Sequence, residues 1–206
     1  MDVYLEIGAK RVLAAAVDWP GWCRAGKDEQ SALQALVDYA PRYAKVVGKS
    51  ADFRPPRNVD DLNVTERLKG DATTDFGAPG AIPDADRRPL PHEELARLER
   101  LFARCWAAFR RAAKAAVGRE LAKGPRGGGR SLVQIEEHVG GAEESYAAQV
   151  GLRGDLKAAV RAREAGELPE RGPRGGERWP ARYGIRRAAW HVLDHAWEIE
   201  DRLAPG

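Results

Sequence analysis

Arg178-Trp-Pro-Ala-Arg-Tyr-Gly-Ile-Arg-Arg-Ala-Ala-Trp-His191-Val-Leu-Asp-His195-Ala-Trp-Glu-Ile-Glu-Asp-Arg-Leu203 is the stretch on which the fold turns. After Pro180 and Gly184 nothing breaks it until Pro205, and Ala189, Val192, Leu193, Ala196, Ile199 and Leu203 recur at helical spacing. One long amphipathic helix is predicted. On it His191 and His195 are four residues apart, so both imidazoles leave the same face, with Asp194 and Glu198 on the same stripe.

A helical His-x-x-x-His pair supplies two nitrogen ligands, and a catalytic centre of this kind needs a third protein ligand and an open position. The chain has four histidines. His92 follows Pro91 at a predicted helix start, whereas His138 lies inside the helical segment Ser131 to Gln149, which makes His138 the natural third ligand. Ser131 and Gln134 open that segment as a capping box.

Ser131-Leu-Val-Gln-Ile-Glu-Glu-His138-Val-Gly-Gly-Ala-Glu-Glu-Ser-Tyr146, with Ala-Trp-His191-Val-Leu-Asp-His195-Ala-Trp-Glu198 far downstream, resembles the DinB-like four-helix bundles. That family includes metal-dependent hydrolases and thiol-cofactor transferases related to the mycothiol-dependent maleylpyruvate isomerase. The resemblance covers about residues 90 to 204 and implies a divalent ion, zinc, nickel, manganese or iron, held by His138, His191 and His195. Many relatives carry a further histidine one turn on, where this chain has Ile199. A metal so held would activate a water or a low-molecular-weight thiol and polarise a substrate carbonyl. Glu137, Asp194 and Glu198 are the candidates to orient a ligating ring or to act as a base.

Upstream of the histidines, Pro91 to Arg119 carries Leu95, Leu98, Phe102, Cys105, Trp106 and Phe109 on one stripe, the pattern of a core-facing helix. Asp155 to Ala165 predicts a shorter helix, which brings the bundle to four. Two loops nearly repeat each other: Lys123-Gly-Pro-Arg-Gly-Gly-Gly-Arg130 before His138, and Arg171-Gly-Pro-Arg-Gly-Gly-Glu-Arg178 before His191. They read either as solvated connectors or as cationic loops in which Arg126, Arg130, Arg174 and Arg178 attract the carboxylates of a substrate or thiol cofactor.

At the other end, Val3, Leu5 and Ile7 alternate with Tyr4 and Glu6. A Gly8-Ala9 turn and a second strand from Arg11 to Val17 complete a hairpin signal. Asp28 can cap a helix in which Ala32, Leu33, Leu36, Val37 and Ala40 share a face up to Pro41. Trp19-Pro20-Gly21, Gly26 and Ser31-Ala32-Leu33 resemble the HicB-like antitoxin fold over about residues 1 to 47. Trp19 and Trp22 can stack on a ligand or, as tryptophans beside a turn usually do, close a small core. Between the modules, residues 48 to 90 are rich in Pro and Gly and predict an irregular connector with one strand at 62–68. Its segment Asp71 to Gly77 would line the site or wrap the surface.

The fold class expected is therefore α+β. It comprises a strand-strand-helix module (1–47), a connector (48–90) and a four-helix bundle (91–204). A net charge of +3 over 206 residues gives no strong basic footprint, so nucleic acid is not an expected partner. The longest uninterrupted apolar run, Val12 to Val17, is far too short to span a bilayer, and the expected location is cytoplasmic. Cys23 and Cys105 form no Cys-x-x-Cys motif and are expected as small buried residues. The expected function is that of a metal-dependent thiol transferase or hydrolase acting on a small molecule. The alternative is a non-enzymatic binding or regulatory protein that joins a HicB-like module to a helical dimerisation bundle. A homodimer is compatible with either reading.

Overall fold

The computed structural model describes residues 1–49, 52–123 and 129–203. The chain is mixed α+β and divides into two compact units, Met1–Pro89 and Leu90–Gly206. The first unit contains β1 (Asp2–Ile7), β2 (Val12–Ala16), β3 (Cys23–Gly26), α1 (Glu29–Val47), β4 (Asn63–Lys69) and the short α2 (Ala72–Phe76). The second contains α3 (His92–Ala116), α4 (Leu132–Val150), α5 (Leu156–Glu164) and α6 (Ala181–Arg202).

The sheet has the order β3-β2-β1-β4, with β1 antiparallel to β2 and parallel to β4. Two of its features differ from the expectation. A third strand follows the Pro20-Gly21 turn, and the strand expected at 62–68 pairs beside β1, which makes the connector part of the first unit. The alternation read in β1 does not separate a wet from a dry face, because Val3, Tyr4, Leu5 and Glu6 are all buried. Segment 71–81 closes over Glu6. Its carboxylate accepts from the Thr74 hydroxyl and from the backbone N–H groups of Gly80 (3.0 Å) and Ala81 (3.1 Å).

Asp28 caps α1 through a reciprocal pair with Ser31. Pro41 does not end the helix, which continues to Val47. An interior proline costs about 3 kcal/mol, but Tyr43, Val46 and Val47 lie beyond it on the buried face, and each large apolar side chain buried returns about 1.5–3 kcal/mol. The tryptophans serve the core: Trp22 stacks on Tyr43 at 5.5 Å and donates its indole N–H to the Leu36 carbonyl, while Trp19 and Phe53 pack edge-on.

In the second unit α3, α4 and α5 all pack on α6. Helix α6 is buried nearly all round, as the central member of a helical layer must be. On α3 the stripe is core at Leu98, Phe102, Cys105 and Phe109, whereas Trp106 sits at its edge and donates to Glu143 of α4 at 2.6 Å. Gly184 lets α6 approach α4, since a Cβ there would lie 2.6 Å from a methyl of Val150. Both cysteines are buried, and burial pushes the Cys105 thiol up to about 12. No described helix is long and apolar enough to cross a membrane.

Candidate metal centre

His191 and His195 face the same side of α6 because 3.6 residues make a turn, and by the same count Arg187, Glu198 and Arg202 lie within a quarter-turn of them. His138 is set on α4 between Ile135 and Val139, both fully buried, so the core that anchors α4 aims the imidazole at α6. The Ser131–Gln134 capping box starts α4 seven residues earlier.

Three imidazoles meet here. Ring centroids are 4.6 Å apart for His191 and His195, 4.9 Å for His138 and His191, and 5.0 Å for His138 and His195. One ligand nitrogen from each lies within 4.8 Å of the others, and His138 Nε2 is 3.1 Å from His191 Nε2. Tetrahedral zinc with bonds of 2.0–2.1 Å needs nitrogens about 3.3 Å apart. The His138–His191 pair is already close to that spacing, and the His195 nitrogen lies within 4.8 Å of both.

The donors are in the form that a metal requires. Burial first, then the charges of His195, Arg187, His138 and Arg130, push His191 down to about 2. His138 is lowered by burial and by Arg130 and His195, against a smaller opposing pull from Glu198. Both are therefore neutral at neutral pH. His195 Nδ1 lies 2.6 Å from Glu198 Oε2, and the tautomer that donates from Nδ1 to this carboxylate keeps the Nε2 lone pair for a metal. This carboxylate–histidine contact is the usual outer support of a metal-bound imidazole. Glu198 stays ionised because the His195 hydrogen bond and the Arg202 guanidinium outweigh its burial.

Arg202 was not singled out by sequence. It donates to Glu198 Oε1 (2.7 Å), the Ala122 carbonyl (2.7 Å) and the Arg130 carbonyl (3.0 Å), so it fixes Glu198 and pins the chain on both sides of 124–128 to the end of α6. Its i, i+4 spacing from Glu198 was the available signal. Tyr146, whose ring lies 5.7 Å from that of His191, and Arg187, stacked over Tyr146 and Trp190, were missed as well. Arg187 stands one turn before His191, which makes the full pattern Arg187-x-x-x-His191-x-x-x-His195.

The other candidates lie in different places. Glu137 is exposed on α4, one residue from His138 and off its face, and Asp194 is partly buried beside His195. Ile199 is fully buried, so the turn after His195 contributes core rather than a fourth donor. Arg130 is exposed and near enough for its charge to act on His138 and His191. Arg126 lies outside the described residues. Arg178 donates to the Ala148 carbonyl at 2.6 Å, capping the C-terminal end of α4 ten residues, or about 15 Å, beyond His138. Arg174 is exposed in the turn between Gly172 and Gly176, which closes on itself through Gly175 N–H to Gly172 carbonyl at 2.9 Å. The structure thus brings Arg130 near the histidines and uses Arg178 elsewhere.

Comparison with family models, with curated proteins and with solved structures finds no match to this chain.

Proposed function

We propose that the helical unit is a divalent-metal-dependent enzyme of the thiol-transferase or hydrolase class, similar in its ligand set to the DinB-like bundles that the sequence resembles. The observation that carries the reading is the convergence of three buried or half-buried imidazoles, two of them held neutral and the third oriented by an ionised Glu198. Zinc, nickel, manganese or iron suits three nitrogen donors. Such an ion, when bound, lowers the pKa of a water or low-molecular-weight thiol in its open position. Three neutral ligands leave the ion's charge undiminished, which favours that acidification. His138, His191 and His195 hold the ion, Glu198 orients His195, and Arg202 holds Glu198. Asp194 and Glu137 remain the nearest further carboxylates for a proton-transfer role. We read the first unit as a HicB-like strand-strand-helix core extended by β3 and β4.

Elemental analysis of the purified wild type and of His138→Ala tests this. About one divalent ion per chain in the wild type and its loss in the variant is the expected result. A wild type that takes up no zinc, nickel, manganese or iron even when these are supplied overturns the enzyme reading and favours the non-enzymatic one.

A further inference from the structure

Arg187 carries hydrogen-bonding capacity that the protein does not use. Its guanidinium lies 4.5 Å above the Trp190 ring and 5.1 Å from that of Tyr146. Its Nη1 is enclosed and, among the described residues, meets no acceptor. The rings fix the plane of the guanidinium and weaken the cost of its burial, but they supply no opposite charge. A buried donor without an acceptor costs about 1–3 kcal/mol. Arg202, at the other end of the histidine face, is by contrast fully engaged with Glu198 and two carbonyls.

The surroundings say what the missing partner is. Arg187 is one helical turn, about 6 Å, from His191 on the same face, and Tyr146 spans the two, its ring 5.7 Å from the imidazole. Glu198 is balanced by Arg202, while Arg130 adds a second positive charge near His138. The guanidinium of Arg187 itself, with Arg130 nearby, therefore sets a positive charge beside the histidines. A planar carboxylate matches the guanidinium fork with two parallel hydrogen bonds.

We infer that Arg187 is the substrate anchor of this centre: it binds a carboxylate of a small acidic substrate or thiol and so directs the other end of that molecule toward the three histidines that would hold the ion. The inference rests on the metal reading above. It moves carboxylate recognition from the Arg171–Arg178 loop to α6 itself.

Cobalt(II), whose visible absorption reports coordination, is the probe metal, and two thiols of matched length are the probe ligands: 3-mercaptopropionate and uncharged 3-mercaptopropanol. Each is titrated into the cobalt-loaded full chain, and thiolate-to-cobalt absorption is followed. The acid should bind wild type at least about tenfold more tightly than the alcohol, the size expected of one charge-assisted bidentate contact. Arg187→Met, which keeps an unbranched side chain without the charge, should bring the two thiols to equal affinity, and Arg130→Gln should keep most of the preference. Equal affinity in the wild type overturns the inference, as does a preference that survives Arg187→Met or that vanishes in Arg130→Gln instead. Should Arg187→Met fail to fold, Arg187→Lys tests the fork, because a point charge should retain only part of the preference. If the wild type takes up no cobalt, the metal reading falls and this inference with it; uptake without a preference for the acid overturns this inference alone.

Discussion

In the first unit the buried carboxylate of Glu6 accepts from the Thr74 hydroxyl and two backbone amides, so the charge is spent on holding segment 71–81 to the sheet. In the second unit Arg187 keeps an enclosed nitrogen that meets no acceptor among the described residues, and three imidazoles point their nitrogens at one another rather than at carbonyls. Both regions draw polar groups out of water. Buried polar groups are nearly always satisfied, and one left over calls for an explanation such as strain, an ordered water, an ion or a ligand. A satisfied buried charge is architecture, whereas convergent, underused donors mark a candidate site.

That contrast can be broken in either unit. Glu6→Ala should cost about 2–3 kcal/mol of stability, because the buried Thr74 hydroxyl and the part-buried N–H groups of Gly80 and Ala81 lose their acceptor. Thermal unfolding reads the loss, and metal content of the folded fraction should not change; a variant as stable as the wild type would mean that Glu6 is not what holds segment 71–81. Glu198→Gln should do the reverse. The amide can face either His195 or Arg202 with its oxygen but not both, so zinc affinity should fall about 10- to 100-fold, the usual worth of an outer partner. Competition with a chromophoric chelator measures it, and unchanged affinity would reduce Glu198 to a bystander. Gly184→Ala lies between the two: its Cβ would meet the Val150 methyl at 2.6 Å, so α6 and α4 must separate at one end. A loss of about 1–3 kcal/mol is expected in unfolding experiments, with a smaller effect on the histidines two turns away.

The helices of the second unit were legible because a 3.6-residue apolar period survives in α3, α4 and α6, and His138, His191 and His195 stood out by scarcity and spacing. Their convergence was not legible, since spacing allowed it without requiring it. Strand β3 has only four residues, Cys-Arg-Ala-Gly, with no alternation to read, and the parallel pairing of β4 with β1 depends on a long-range return of the chain. The course of α1 through Pro41 was set by Tyr43 and Val46, whose burial outweighs the missing amide. Arg187, Arg202 and Tyr146 look like ordinary helix residues until tertiary packing fixes their neighbours. The Gly-Pro-Arg loops show the same limit: composition marks charge, but only packing shows what a charge already touches, as Arg178 touches the Ala148 carbonyl at the α4 carboxyl end.

The smallest effect separates the two kinds of burial by pH. His191 is lowered from 6.5 to about 2, so in the metal-free protein the unfolded chain binds a proton there that the folded chain refuses. Stability from this group is fully present above pH 6.5 and is lost progressively as pH falls toward 2. Between pH 7 and pH 6 the loss attributable to His191 is about 0.7 kcal/mol, and His138, shifted the same way, adds to it. The lowered carboxylates Glu99 and Glu198 do not enter, because their ordinary value of 4.5 confines their protonation to lower pH. Urea unfolding of metal-free wild type and His191→Gln at the two pH values measures the difference. The variant should lose less stability than the wild type over this interval. Equal losses would mean that His191 is not held neutral by its burial and its cationic neighbours, and the contrast with the fully satisfied Glu6 would then rest on geometry alone.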